Sequence, residues 1–247
     1  MGGAPPRAAD MEKEGALMSH TEQLPSYEEL PEEPKEEKKK RKGLFLLLLA
    51  IVLAIAGVGG FLWSAWPQIN PPPNAMRDLH NNVVIPDQDA IVPDDTAVED
   101  TGGRFKAPTV KLDVPIGQAK EIDGKIAPPG FKSVYWISNL GVPLKDAEKG
   151  TVYMAAHSLR NGGWAPGNAL IDIDTQQAKI NPGDPLLVDN RTYSVTETRI
   201  IPKPEISSVG DLWDQQVPRR LLVFTCLQNP QNTPSTNNVV IIATLVK

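Results

Sequence analysis

About 23 consecutive residues, Leu44 to Trp66, carry no charged side chain, and they directly follow Lys38-Lys-Lys-Arg-Lys42. At about 1.5 Å per residue a helix over this run reaches roughly 34 Å, enough to cross a hydrocarbon core with modest tilt. The run is too long for a buried core helix. It lacks a clear small-x-small cleavage site, although Ala54, Ala56, Gly57 and Gly59 place small residues near its end and leave processing open. Trp63 and Trp66 sit where an aromatic belt anchors the outer interface, and Pro67 is expected to end the helix. Five basic residues before the span and none just after it put the N-terminus in the cytoplasm and the rest of the chain outside the cell.

That span divides the 247 residues into four parts. Residues 1–42 are rich in Glu, Pro and Ala, with too few large apolar side chains to offset chain entropy, and read as a disordered cytoplasmic tail. Leu24-Pro-Ser-Tyr-Glu-Glu-Leu30 is either a short partner-binding motif or solvated tail. Residues 43–66 are the transmembrane helix. Residues 67–105, with Pro71-Pro-Pro73, Pro86, Pro93 and the acidic residues Asp94, Asp95, Glu99 and Asp100, form an extended tether. It contains one short apolar run, Val83-Val-Ile85. Residues 106–247 form the folded domain.

The texture of that domain is short strands punctuated by Gly and Pro. Thr109–Val114 alternates and is ended by Pro115-Ile-Gly117. Phe131–Ile137, Gly150–Ala156, Ala169–Ile173, Leu186–Val188 and Thr192–Ile200 follow, with a hairpin turn at Asn190-Arg191. Two apolar runs, Leu221–Phe224 and Val239–Val246, flank a polar loop near the end. A brief helical stretch is expected near Ser207–Gln216. This spacing predicts one all-β barrel or sandwich.

Chemistry is confined to few residues. The single cysteine excludes an intramolecular disulfide, and the three histidines, His20, His80 and His157, are too scattered for a structural metal site. No Asp-x-Asp-x-Asp-Gly calcium motif occurs, so neither a metal nor another cofactor is expected. The net charge of −5 carries no basic patch apart from the run before the span, which argues against nucleic acid. Cys226 ends one apolar strand and His157 ends another. Each alone has a plain structural reading, a small core hydrophobe or a core histidine. Together they are the minimal kit for thiol acyl transfer, in which the thiolate attacks a carbonyl and the imidazole protonates the departing amine.

At this point the sequence resembles the sortase family. Leu222-Val-Phe-Thr-Cys226 is similar to the sortase nucleophile strand, apolar-apolar-x-Thr-Cys. Val152-Tyr-Met-Ala-Ala-His157-Ser resembles its histidine strand, and Pro182-Gly-Asp184 through Tyr193-Ser-Val195 resembles the segment G-D-x-V…Y-x-V. The likeness covers about residues 106–247, with about 70 residues between His157 and Cys226. It implies an all-β, closed barrel of about eight strands with one or two short helices. It also implies a cysteine transpeptidase that cleaves a Leu-Pro-x-Thr-Gly-like sorting signal through a Cys226 thioester. The acyl group of the surface protein then passes to a cell-wall amine. With no second apolar span after the barrel and no Asp-Pro-Trp-like lid before it, the compact class E/F-like types are the nearest in kind.

One departure stands out. Sortases carry an arginine just before the Val-rich run, here Val239-Val-Ile-Ile-Ala243, and the position falls on Asn238 or Thr236 depending on the spacing used. These two share a face of an extended strand. Asn238 is the candidate for holding the oxyanion or the substrate, an uncharged donor in place of a charged one. Thr225, Thr236, Arg160 and Trp164 are candidate substrate contacts. Arg160 is the best substitute cation; Arg191 and Arg199 depend on tertiary contact, and Arg220 lies roughly 20 Å back along the strand. Two alternatives stay open: a non-catalytic extracellular binding module on the same barrel, and a cysteine hydrolase using the same pair.

Overall fold

The computed structural model describes residues 37–73, 75–86 and 94–246. Residues 1–36, including Leu24–Leu30, lie outside the described residues. The chain falls into two compact units, residues 1–58 and 59–247. Helix α1 spans Glu37–Ile69 and continues two residues past Pro67. Within it Lys42–Trp66 is long and apolar enough to cross a membrane, with a mean hydropathy of 2.8.

Eight strands close into a barrel: β1 (Arg104–Ala107), β2 (Leu112–Ala119), β3 (Val134–Gly141), β4 (Thr151–Ala156), β5 (Pro185–Val188), β6 (Arg191–Pro202), β7 (Arg220–Leu227) and β8 (Asn237–Leu245). Around the barrel the order is β5-β6-β8-β7-β4-β3-β2-β1, and β1 pairs with β5 to close it. The β2–β3 and β7–β4 pairs are parallel and the rest antiparallel. Full closure removes the exposed sheet edges that an open sheet would leave.

Alternation along the strands sorts the apolar side chains into two cores. Val152, Met154, Leu221, Val223, Val239, Ile241 and Ala243 fill the barrel interior. Tyr135, Tyr153, Ala155, Leu222, Phe224, Val240 and Ile242 point outward into a second cluster. The connection from β6 to β7 covers that outer cluster, running through two 3-10 turns, Lys203–Ser208 and Gly210–Trp213. Trp213 stacks on Phe224 at 5.6 Å and on Tyr153 at 6.1 Å, and the Tyr153 hydroxyl donates to the Leu212 carbonyl at 2.9 Å. Arg220 ties the same connection down by donating to the Asp211 and Asp214 carbonyls. With both faces covered, all six residues of β4 are buried, which is why its sequence reads as a continuous apolar run rather than an alternating one.

Three expected elements differ. The strand expected over Thr109–Val114 starts later, at Leu112 after a 3-10 turn over Pro108–Val110, and does not stop at Pro115: β2 runs on to Ala119. Pro115 pairs with Arg104, the first residue of β1, and from Ile116 onward the partner is β3, so proline sits where one ladder hands over to the next. Ala169–Ile173 is not a strand but the end of a short helix, α2 (Pro166–Leu170), followed by the two-residue strand Ile171–Asp172. Pro166 pre-sets the first helical turn, and the Asn168 side chain accepts from the Ala165 and Leu159 amides at 2.9 and 2.8 Å. The expected helix at Ser207–Gln216 is instead the pair of 3-10 turns.

Ahead of the barrel, Met76–Arg77 and Val83–Val84 pair as a small hairpin. Its buried Asp78 accepts from the backbone amides of His80, Asn82 and Trp164, and Leu79 donates to the Trp164 carbonyl. His80 stacks on Trp164 at 5.7 Å. Part of the expected tether is therefore docked on the segment that follows His157.

Candidate active site

Parallel pairing of β4 with β7 sets Ala156 beside Thr225, so the next residues, His157 and Cys226, emerge at the same level from neighbouring strands. Antiparallel pairing with β8 sets Asn238 directly across from Cys226. His157 continues the parity of Tyr153 and Ala155, Cys226 that of Leu222 and Phe224, and Asn238 that of Val240 and Ile242. All three therefore belong to the outward face, in one row across three strands at spacings of roughly 5 Å. Each is partly buried, at the rim of the second apolar cluster.

The strand ends are clamped together. The Ser158 hydroxyl donates to the Cys226 carbonyl at 2.5 Å, and the Gln228 amide donates to the Ser158 carbonyl at 2.8 Å. Where a regular ladder would fray, these bonds hold the backbone on which the thiol and the imidazole are mounted.

His157 is fixed on its other side by the loop before β3. Its Nε2 lies 2.7 Å from the Pro128 carbonyl, and Phe131 tilts against the ring at 4.9 Å. A carbonyl only accepts, so Nε2 carries the proton and Nδ1 is left as the basic nitrogen. Burial pushes the imidazole pKa down, with a further push from the Lys203 charge, against the Pro128 bond that favours the charged form. The net direction is down, so the ring is held neutral and ready to accept a proton.

Thr225 lies on the opposite parity and is buried, its hydroxyl without a partner among the described residues. A Cβ on Gly167 would come within 2.0 Å of that hydroxyl and 2.6 Å of the His157 carbonyl, to which the Gly167 amide donates at 2.8 Å. Helix α2 thus approaches the site through a residue that can carry no side chain. Thr236 is exposed, one step beyond Asn238 on the same face. Arg160 and Trp164 lie on the loop after His157, both partly buried. That loop meets the β7–β8 loop, where the Asn161 amide donates to the Asn232 side chain at 3.2 Å.

The other arginines are committed elsewhere. Arg191 donates to the Lys145 carbonyl. Arg199, whose partner Val240 belongs to the outward face, is forked onto Glu197 at 2.7 Å and bonded to Asp211 at 2.6 Å. Sequence reasoning did not single out Pro128, Phe131, Ser158, Gly167, Gln228 or Lys203. Only the serine beside His157 had a visible signal, as the polar residue of the histidine motif. No cluster of three potential metal ligands occurs among the described residues.

No protein-family model and no curated protein matches the chain. Among solved structures it resembles sortase A of Listeria monocytogenes (19% identity, TM-score 0.43, covering 61% of this chain and 88% of that one). It also resembles a sortase D5 transpeptidase of Clostridium perfringens (15%, 0.40, covering 59% and 78%) and sortase C1 of Streptococcus agalactiae (15%, 0.42, covering 59% and 67%). All three are sortases.

Proposed function

We propose that this protein is a membrane-anchored, sortase-like cysteine transpeptidase. The observation that carries the reading is the placement of His157 and Cys226 side by side at the ends of two parallel strands, on one face, with the imidazole tautomer set by Pro128. In this scheme Nδ1 of His157 takes the thiol proton as Sγ attacks a peptide carbonyl. The tetrahedral intermediate collapses to a thioester, and the departing amine leaves with the proton held by His157. An incoming amine then attacks the thioester and releases the acyl group; water as acceptor would make the same site a hydrolase. The substrate is the Leu-Pro-x-Thr-Gly-like signal of a surface protein and the acceptor a cell-wall precursor amine, as the motifs around Cys226 and His157 imply. Helix α1 anchors the chain in the cell membrane with the N-terminus cytoplasmic and the barrel outside.

The test is intact mass of the full-length chain in detergent micelles, incubated with a pool of such peptides. A hydroxylamine-labile adduct on the wild type, absent from Cys226→Ala, is the expected result. A folded chain that binds peptides but never acylates would overturn the reading. It would favour the binding module, for which the missing arginine at Asn238 and Thr236 is the one supporting observation.

A further inference from the structure

Cys226 stands opposite Asn238, and the face on which they lie continues to Thr236, so the strand across from the thiol offers two neutral side chains. Acyl transfer places a full negative charge on the carbonyl oxygen, and a neutral amide alone meets it weakly. The next strand over supplies what β8 lacks. The β6–β8 ladder pairs Ile201 with Asn238 and Pro202 with Asn237, and one step on the Lys203 amide donates to the Thr236 carbonyl at 2.9 Å. Pro202 is extended, with ψ at 136°, so alternation carries through to Lys203 and gives it the parity of Ile201, which belongs to the outward cluster. Two strand spacings and two residues separate Lys203 from Cys226, a Cα separation of roughly 12 Å.

We propose that Lys203 is the cation of this site: its ammonium reaches over Thr236 and Asn238 to hold the oxygen of the substrate carbonyl as the tetrahedral intermediate forms on Cys226. The inference rests on the transpeptidase reading. As the Sγ–carbon bond forms, the carbonyl π pair moves onto oxygen, where Lys203 and the Asn238 amide donate. As the pair returns, the carbon–nitrogen bond breaks and the amine takes the proton from His157. A lysine suits this role because its charge is compact and its four-carbon stem is flexible.

Three features favour Lys203 over other cations. It is solvent-exposed and forms no ion pair among the described residues, whereas Arg199 on the same face is held by Glu197 and Asp211. Its charge is the smallest of the influences on the His157 pKa, after burial and the Pro128 bond, and it pushes in the same downward direction as burial, with His157 on the far side of Cys226 from β6. Finally, it is hydrogen-bonded through its backbone to Thr236, one of the two positions where the family motif places an arginine.

The experiment compares wild type, Lys203→Met and Lys203→Arg as full-length chains in micelles. Acylation of Cys226 is read by mass, both with the peptide pool and with a p-nitrophenyl acyl ester, which passes through the same oxyanion. His157 is followed by NMR titration, one of three histidine signals to assign. Lys203→Met is expected to slow acylation about 10²–10³-fold and to raise the His157 midpoint, and Lys203→Arg to preserve both. Wild-type acylation that persists unchanged in Lys203→Met overturns the role of Lys203 and leaves the transpeptidase standing. An unshifted His157 midpoint in Lys203→Met equally removes the lysine from the site. No adduct on the wild type with either reagent sinks the transpeptidase and the lysine's role together.

Discussion

Gly167 shows how much of the site is decided at single residues. Its amide holds the His157 carbonyl, and its missing side chain is what lets α2 lie against the backbone of His157 and the buried Thr225 hydroxyl. Backbone cannot yield as the tip of a long side chain can. Gly167→Ala is therefore expected to destabilise the fold by about 1–3 kcal/mol and to displace His157, lowering the acylation rate at least tenfold. Urea unfolding and single-turnover mass measurement check the two parts separately, and unchanged values in both would remove Gly167 from the argument. The two buried hydroxyls near the thiol share the interior parity but divide by bonding: that of Thr225 has no partner among the described residues, whereas that of Ser158 donates to the Cys226 carbonyl and ties the two strand ends together.

At the scale of elements, the connection between β6 and β7 has the widest consequences. It begins at Lys203, covers the outward apolar cluster and returns as the strand that carries Cys226. Trp213 is its anchor, stacked against both Tyr153 and Phe224 and donating through its indole to the Ile206 carbonyl at 2.9 Å. Trp213→Ala should cost about 3 kcal/mol, loosen Lys203–Trp213 and slow acylation while leaving the barrel closed. Hydrogen exchange confined to that segment is the expected signature; protection unchanged there would mean that Arg220 and Tyr153 hold the connection without it. The docked hairpin at Met76–Val84 is a second such element, joined through Asp78 to the loop after His157. Burial alone would raise the Asp78 pKa, but the amides of Trp164, Asn82 and His80 and the Asn82 side chain outweigh it and hold the carboxyl low.

For the whole molecule the governing asymmetry is charge about α1: Lys38–Lys42 on one side of the apolar run and no basic residue just after Trp66. Replacing Lys38–Lys42 by Gln should produce a fraction of chains with the barrel on the cytoplasmic side. Protease digestion of intact spheroplasts reads this directly, since an outside barrel is cut and an inverted one is protected. Full protection of the unaltered chain would reverse the proposed orientation.

Periodicity alone made the apolar span, the short-strand texture and the two strand ends at His157 and Cys226 legible, because these depend on neighbours in sequence. The ordered motifs carried the expectation further, to a closed barrel of about eight strands, and the eight-stranded barrel meets it. Pairing across the sheet was not legible. Which strand lies beside β7, and hence that Asn238 and His157 flank Cys226 on one face, follows from register between segments up to 70 residues apart. Local signals also misled where tertiary contact overrode them, as at Pro115, where a change of partner carries the strand onward, and at Ala169, where Pro166 and Asn168 set a helical turn. The contacts that tune the site, Pro128 on His157 and Lys203 beside Thr236, join loops and strand ends with no periodic signature. Sequence determined which residues could do chemistry; only the closing of the barrel decided which of them meet, since strand pairing is set by the burial of both faces at once and not by any one stretch of chain.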